Sequence, residues 1–323
     1  MSFSRVTKLE LLNYEIEDDS CCLSFLSGLF HSCGEISRNG GKLGISIATD
    51  IQELYPYCQK IIKRLYGDDL EIELGDNFTI NKNTYYEIIF PINSSEKILL
   101  DTGLIERCES GYNINFNIDR NIIFEEDCKK MFVRGVFIGS STSSIRLSEV
   151  QSVKTASGYH LEFTSHSHDF IIDFSSVLAE CNIMGNIVER KNLYVLYLKD
   201  VNTIIDLLAL IGANEGVLAL SNEIITRELR NKVNRQVNCI NANINKTVEA
   251  SMKQVNAINI INSTIGIESL PEDLQEVAVL RLANQEESLD ELLKLSTIQL
   301  TRSGLAHRFR KLIKIANELG EDK

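Results

Sequence analysis

Residues 25–30 read Phe-Leu-Ser-Gly-Leu-Phe and residues 132–137 read Phe-Val-Arg-Gly-Val-Phe, the same apolar frame with a glycine fourth in each. A glycine inside an apolar helix costs about 1 kcal/mol relative to alanine, which implies a packing reason. Two helices crossing at their glycines supply one, because losing the Cβ lets the backbones approach. The alternative is two unrelated buried helices.

The surroundings favour a pair. Around the first hexapeptide, Leu23, Leu26, Leu29 and Phe30 have helical spacing and run into Cys33-Gly34, where glycine can stop a helix. Then come Lys42–Ala48 (strand), Ile51–Tyr66 (helix), Leu70–Leu74 and Tyr85–Phe90 (strands) and Ser94–Gly103 (helix). The second stretch repeats that order with Asp127–Ile138 helical, Gly158–Thr164 extended, His168–Cys181 helical, Ile183–Glu189 and Leu193–Lys199 extended and Val201–Ile211 helical. An order of elements that recurs about a hundred residues further on is the mark of an internal duplication.

Composition bounds the rest. The 323 residues are 44% hydrophobic and 24% charged with only 3 Pro, so an ordinary globular core is expected. At roughly 100–200 residues per domain the length predicts two or three domains. None of the 8 cysteines forms a CxxC pair, and free thiols are usually core, so reduced buried cysteines are expected and no metal site. The opening MSFSRVTKLELLNYE carries no apolar h-region, and the most apolar run, Ile204–Ala213, contains Asp206. A soluble, cytoplasmic chain without membrane contact is expected.

The formal net charge of −12 argues against a generally basic nucleic-acid binder, but it is unevenly spread. Up to Asn222 there are 19 basic and 31 acidic residues, and beyond it 14 of each. Residues 296–314 carry Arg302, Arg308, Arg310, Lys311 and Lys314, with His307 and no acid. Nucleic-acid footprints are read from such clusters rather than from whole-chain charge, although a solvated helix face also produces them.

From Glu223 to about Ile261 the period is long and helical. Val233, Val237, Ile240, Ile244, Val248, Met252 and Val255 trace one apolar stripe, and Asn231, Asn234, Asn238, Asn241 and Asn245 a second face. Asparagine is a poor helix former, so five in register need compensation. Beside Arg227, Arg230, Arg235 and Lys246 they are suited to phosphate oxygens and base edges; equally, they could form a buried polar network. Beyond it, Ser269-Leu-Pro-Glu272 is expected to cap a helix bearing Leu274, Val277, Ala278 and Leu282. Ser288-Leu-Asp-Glu291 is expected to cap a second, short one. A linker, Ser296–Leu300, leads to a third from about Thr301 to Leu319, with Leu305, Phe309, Leu312, Ile315, Ala316 and Leu319 inward. A short helix, a turn and a basic helix is the order of a helix-turn-helix, and Arg302, Ser303, His307, Arg308 and Lys311 are expected to face a major groove.

The paired hexapeptides resemble the LAGLIDADG signature of homing endonucleases, with residues 26–34 and 133–141 on the motif. The resemblance implies two pseudo-symmetric αββαββα halves. That family carries its catalytic metals on the acid before the last motif position, here Cys33 and Ser140. Hard cations need carboxylate oxygens, so no nuclease activity, no catalytic residue and no cofactor are expected. A residual hydrolase built on His160, His166 and His168 is a weaker reading, because Ser-His-Ser-His reads more readily as a solvated loop.

The C-terminal hundred residues resemble the WhiA proteins. The similarity rests on Arg230–Cys239, Ala242-Asn243, Lys246-Thr247, Leu270-Pro271, Ser288-Leu289 with Glu291-Leu292, and Ser303-Gly304 with His307-Arg308. It implies an α+β chain: a first half over residues 1–125, a second over 126–222, a linker helix over 223–262 and an all-α helix-turn-helix domain over 263–323. It further implies a non-catalytic bacterial DNA-binding regulator linked to sporulation, cell division and chromosome segregation, and nucleoid-associated. Duplex DNA is the expected partner, through Arg302, Ser303, Gly304, His307, Arg308 and Lys311 together with Arg230, Asn231, Asn234, Arg235 and Lys246. Other regulators or RNA polymerase stay open as partners, with a monomer favoured. Ala306, Leu293 and Ile298-Gln299 depart from the family pattern, and an altered DNA preference is expected from Ala306. The competing reading is a protein-interaction module whose acidic duplicated domain recruits a partner without reading DNA.

Overall fold

The computed structural model describes residues 2–80, 83–109, 111–145, 158–296 and 300–321. They divide into two compact units, Met1–Ile225 and Thr226–Lys323.

The first unit opens with α1 (Phe3–Leu12), capped by the Ser2 hydroxyl, and α2 (Asp19–Cys33), capped by the Asp18 carboxylate. The order then runs β1 (Gly34–Asn39), β2 (Lys42–Thr49), α3 (Leu54–Tyr66), β3 (Glu73–Leu74), β4 (Phe78–Ile80), β5 (Asn83–Ile89) and α4 (Ile92–Asp101). A hairpin, β6 (Ile105–Cys108) and β7 (Gly111–Ile114), leads to the second half. That half is α5 (Glu126–Ser140), β8 (Ser141–Ser143), β9 (Leu161–Ser165), α6 (His168–Glu180), β10 (Asn186–Arg190), β11 (Leu193–Leu198) and α7 (Val201–Leu210). Both sheets are antiparallel, ordered β1-β2-β5-β3 with β4 also on β5, and β10-β11-β9-β8. Each half is therefore αββαββα, with its sheet packed on one core shared by the two motif helices.

Those helices cross at their glycines. A Cβ on Gly28 would stand 2.9 Å from the carbonyl carbon of Phe132 and closer still to its oxygen; on Gly135 it would stand 2.8 Å from the Leu29 nitrogen and closer still to the Phe25 oxygen. The two-fold relation extends to the residue before each glycine. Ser27 Oγ donates to the Thr102 carbonyl (2.8 Å) at the end of α4, and Arg134 Nε donates to the Ile211 carbonyl (2.9 Å) at the end of α7. Each motif helix thus satisfies one of the carbonyls that a helix end leaves without an internal partner.

Several boundaries differ from the sequence reading. Helix α1 was not anticipated. Strands β1 and β8 were also missed, because each begins directly at a motif helix's last turn with polar residues that do not alternate. Ile183 is buried ahead of β10 rather than within it.

The second unit contains most of α8, which runs from Asn214 to Thr264, nine residues earlier than the helix expected from Glu223. Its last turns, through Ala257, Ile258 and Ile261, form a core with α9 (Glu272–Ala283), α10 (Leu289–Leu295) and α11 (Arg302–Glu321). The expected Ser269 cap is not formed. Ser269 lies in a 3₁₀ turn, Ile267–Ser269, where its hydroxyl donates to the Ile265 carbonyl, and Pro271 takes the N-cap position of α9. The Ser288 cap is formed, accepting from the Glu291 N–H at 3.2 Å.

Candidate nucleic-acid interface

Helix α11 is laid down by alternating burial. Leu305, Phe309, Leu312 and Ala316 enter the core, which leaves Arg302, Ser303, His307, Arg310, Lys311 and Lys314 exposed. The helix begins at Thr301, whose Oγ1 accepts the Gly304 N–H at 3.2 Å and lies 3.0 Å from Ser303 Oγ. The first turn therefore has a side-chain cap and a partly exposed glycine, and its positive dipole end adds to the basic side chains.

The basic residues are not equivalent. Arg302 is exposed and meets Asp290 of α10 at 3.4 Å, an arrangement with little hold in water. Arg308 is only 21% exposed at its side chain and turns back to Asp273 of α9 at 3.5 Å. Arg310 and Lys311 have no ion pair among the described residues. Ala306 lies on the same helix, and Ile298 and Gln299 fall outside the described residues.

A residue the sequence reading missed holds this module together. Arg281, 1% exposed, lies with its guanidinium 5.1 Å from the Phe309 ring centre. Its Nη1 donates to the carbonyls of Asn284 (3.2 Å) and Glu287 (2.7 Å) in the α9–α10 turn. Burial pulls its pKa down from the usual arginine value, which is high enough that the charge persists. An arginine on an amphipathic helix reads as solvent-facing, so only its contacts identify it.

On α8, Arg230, Asn231, Asn234, Arg235 and Lys246 are all exposed, as are Asn238, Asn241 and Asn245. A buried asparagine ladder is not what this helix builds. The apolar stripe is exposed too, from Val233 through Met252; after Glu223 the next buried residue of α8 is Ser251, whose hydroxyl donates to the Gln285 carbonyl. With 1.5 Å of rise per residue, Lys246 and Arg230 lie roughly 16 and 40 Å along the axis from Ala257. The structure thus gathers Arg302, Ser303, Gly304, His307 and Lys311 on one helix end, and strings the α8 group along a separate helix face.

In the first unit the last motif positions lie at a cleft of about 690 Å³ beside Lys8, Ser32 and Ser141. Burial pushes the Cys33 thiol up to about 12, so a neutral SH stands where a carboxylate would hold a hard cation; Ser140 offers a hydroxyl. His160 is joined to Glu162 at 2.9 Å, His168 packs on Tyr194, and His166 lines the cleft. Among the described residues one group could hold an ion, Asp18 with Cys21 and Cys128, whose ligand atoms lie within 4.8 Å of one another.

A duplicated α+β domain of LAGLIDADG type followed by a helix-turn-helix module is the class that these elements define. Residues 19–105 match the WhiA N-terminal LAGLIDADG-like domain, 129–230 the WhiA LAGLIDADG-like domain and 233–316 the WhiA C-terminal HTH domain. The chain belongs to the WhiA family. It is 34% identical to a "Probable cell division protein WhiA" of Clostridium botulinum, over 99% of both chains. It is also 34% identical to that of Alkaliphilus metalliredigens, over 98% of both. The crystal structure of full-length DUF199/WhiA from Thermatoga maritima shares 25% identity, covers 98% of this chain and 99% of its own, and superposes with a TM-score of 0.58.

Proposed function

We propose that this protein is a DNA-binding regulator that docks duplex DNA on the N-terminal turns of α11 and does not cut it. One observation carries the reading: a capped, amphipathic second helix of a helix-turn-helix exposes Arg302, Ser303, His307, Arg310 and Lys311 together. Cations, hydroxyls and N–H groups at a helix start are what phosphate oxygens and a major groove accept. Arg230, Asn231, Asn234, Arg235 and Lys246 on α8 add backbone contacts. The relatives' name supports a role in cell division and the helix-turn-helix module supports regulation through DNA; transcription control, chromosome segregation and a place on the nucleoid are the finer roles proposed with it.

The decisive measurement is affinity for duplex DNA across a salt series. A protein that neutralises several phosphates loses affinity linearly with the logarithm of salt. Arg302→Glu with Lys311→Glu should abolish binding while the helical signal persists, and unchanged affinity overturns the reading. Arg308 is left out of that pair because glutamate there would face Asp273. Catalysis is tested with Mg²⁺ and supercoiled plasmid; metal-dependent cutting that survives replacement of both Glu35 and Asp127 refutes the non-catalytic assignment.

A second reading is favoured by the α8 stripe. Val233, Val237, Ile240, Ile244 and Val248 are each about half exposed, more contiguous apolar surface than a helix meeting only water carries. A protein partner on this face would bind with little salt dependence.

A further inference from the structure

The cleft at the ends of α2 and α5 holds polar groups with nothing to bind. Lys8, on α1, is 8% exposed and lines the cleft, yet among the described residues it makes no hydrogen bond and no ion pair. Ser141 is 2% exposed, and among the described residues neither its Oγ nor the buried Oγ of Ser143 has a partner. Both serines line the same cleft. Leaving a buried hydroxyl unsatisfied costs about 1–3 kcal/mol, so two of them beside a lysine that opens on the same space point to something that fills it.

The charges define what that is. Asp50 is already engaged, its backbone carbonyl and carboxylate both accepting from Arg5 Nη1, the latter at 3.4 Å. Glu35 is exposed on β1. The cation of the cleft without an ion pair of its own is therefore the Lys8 ammonium, flanked by hydroxyl donors, since the nearby Asp50 is shared with Arg5. One cation and several hydroxyls match a group with three acceptor oxygens and a double negative charge. A cleft of about 690 Å³ is far larger than that group alone and lies in the range of small-molecule sites.

We infer that this cleft binds the phosphate monoester of a small hydroxylated molecule, a sugar phosphate or mononucleotide, with Lys8 and Ser141 holding the phosphate. The site is built from residues of the first unit alone and is independent of the DNA-reading proposal. Burial lowers the Lys8 pKa to about 8, with Asp50 and Cys33 opposing that shift, and an arriving dianion would raise it again. The other titratable groups lining the cleft are Arg5, His31, Cys33, Glu35, Asp50, Tyr85 and His166.

The test uses the full chain and isothermal titration with ribose 5-phosphate, adenosine 5′-monophosphate and ribose, at pH 7 and pH 9. Both phosphorylated probes should saturate one site, ribose should not, and binding should weaken at pH 9. Lys8→Met should cost at least tenfold in affinity and remove most of that pH dependence; Ser141→Ala, a small change that keeps the fold, should cost about threefold to tenfold. No saturable binding of either phosphorylated probe overturns the inference, and so does wild-type affinity in both variants. A duplex DNA without terminal phosphates that displaces the bound monophosphate competitively assigns the cleft to phosphodiesters and also overturns it.

Discussion

Gly28 packs directly on the backbone of Phe132, and the reverse contact, Gly135 on Phe25, repeats it across the pseudo-two-fold. Neither contact has a side chain that could move aside. Gly28→Ala and Gly135→Ala should therefore each destabilise the first unit by about 3 kcal/mol or more, the upper end of overpacking costs. Urea unfolding followed by tyrosine fluorescence checks this; a loss under 1 kcal/mol would mean that the helices do not meet at these residues.

Arg281 makes a different prediction. Its replacement by alanine leaves the Asn284 and Glu287 carbonyls without their donor and removes the cation from the Phe309 ring. A loss of about 3 kcal/mol is expected in the second unit. It should appear in the helical circular-dichroism transition and leave the tyrosine signal in place.

Lys8 should make stability rise with pH. Its folded pKa, about 8, lies below the 10.5 of the unfolded chain, so between those values the unfolded state binds the extra proton. Below pH 8 both states are protonated and the cost of burying the charge is constant; above pH 10.5 it is gone. At about 1.4 kcal/mol per pKa unit, Lys8→Met should stabilise the first unit by about 3 kcal/mol at pH 7, and the gain should vanish near pH 10.5. Urea midpoints of the two proteins across that range decide it.

The two arginines of α11 should separate by salt. Arg302→Ala removes an exposed cation and should lower the slope of log affinity against log salt by about one. Arg308→Ala, whose partner is Asp273, should instead lower the thermal stability of the second unit and change the slope less. Equal slopes for both would mean that Arg308 leaves Asp273 when DNA is present.

The duplication was legible because a glycine flanked by large apolar residues at one repeated spacing has few other uses. The burial of α11 was legible for a similar reason, since Leu305, Phe309, Leu312 and Ala316 fall on one side at helical period. What the sequence could not convey was who answers a given face. The stripe from Val233 to Met252 has the period of a packed helix, but periodicity names a face without naming its neighbour, and the structure leaves it in water. Lys8 and Arg281 were hidden by the opposite expectation, that long cations point outward; Lys8 faces a cleft assembled from distant parts of the chain, and Arg281 is held by the carbonyls of the turn that follows it and by the Phe309 ring. The candidate site divides likewise. The α11 residues come together on one helix end, whereas Arg308 is drawn to a carboxylate 35 positions earlier.

Helix α8 passes from one compact unit to the other through some twenty residues with almost no buried side chain. Such a stretch is held only by its own backbone bonds and lacks the tertiary packing from which most helical stability in proteins comes. It transmits little cooperativity, so the two units should melt as separate thermodynamic bodies and no single melting temperature should describe the chain. Nature has supplied the means to see this, since all 10 tyrosines precede Thr226 and there is no tryptophan. Ultraviolet emission is blind to the second unit, and a protein that looks intact by fluorescence can already have lost its helix-turn-helix.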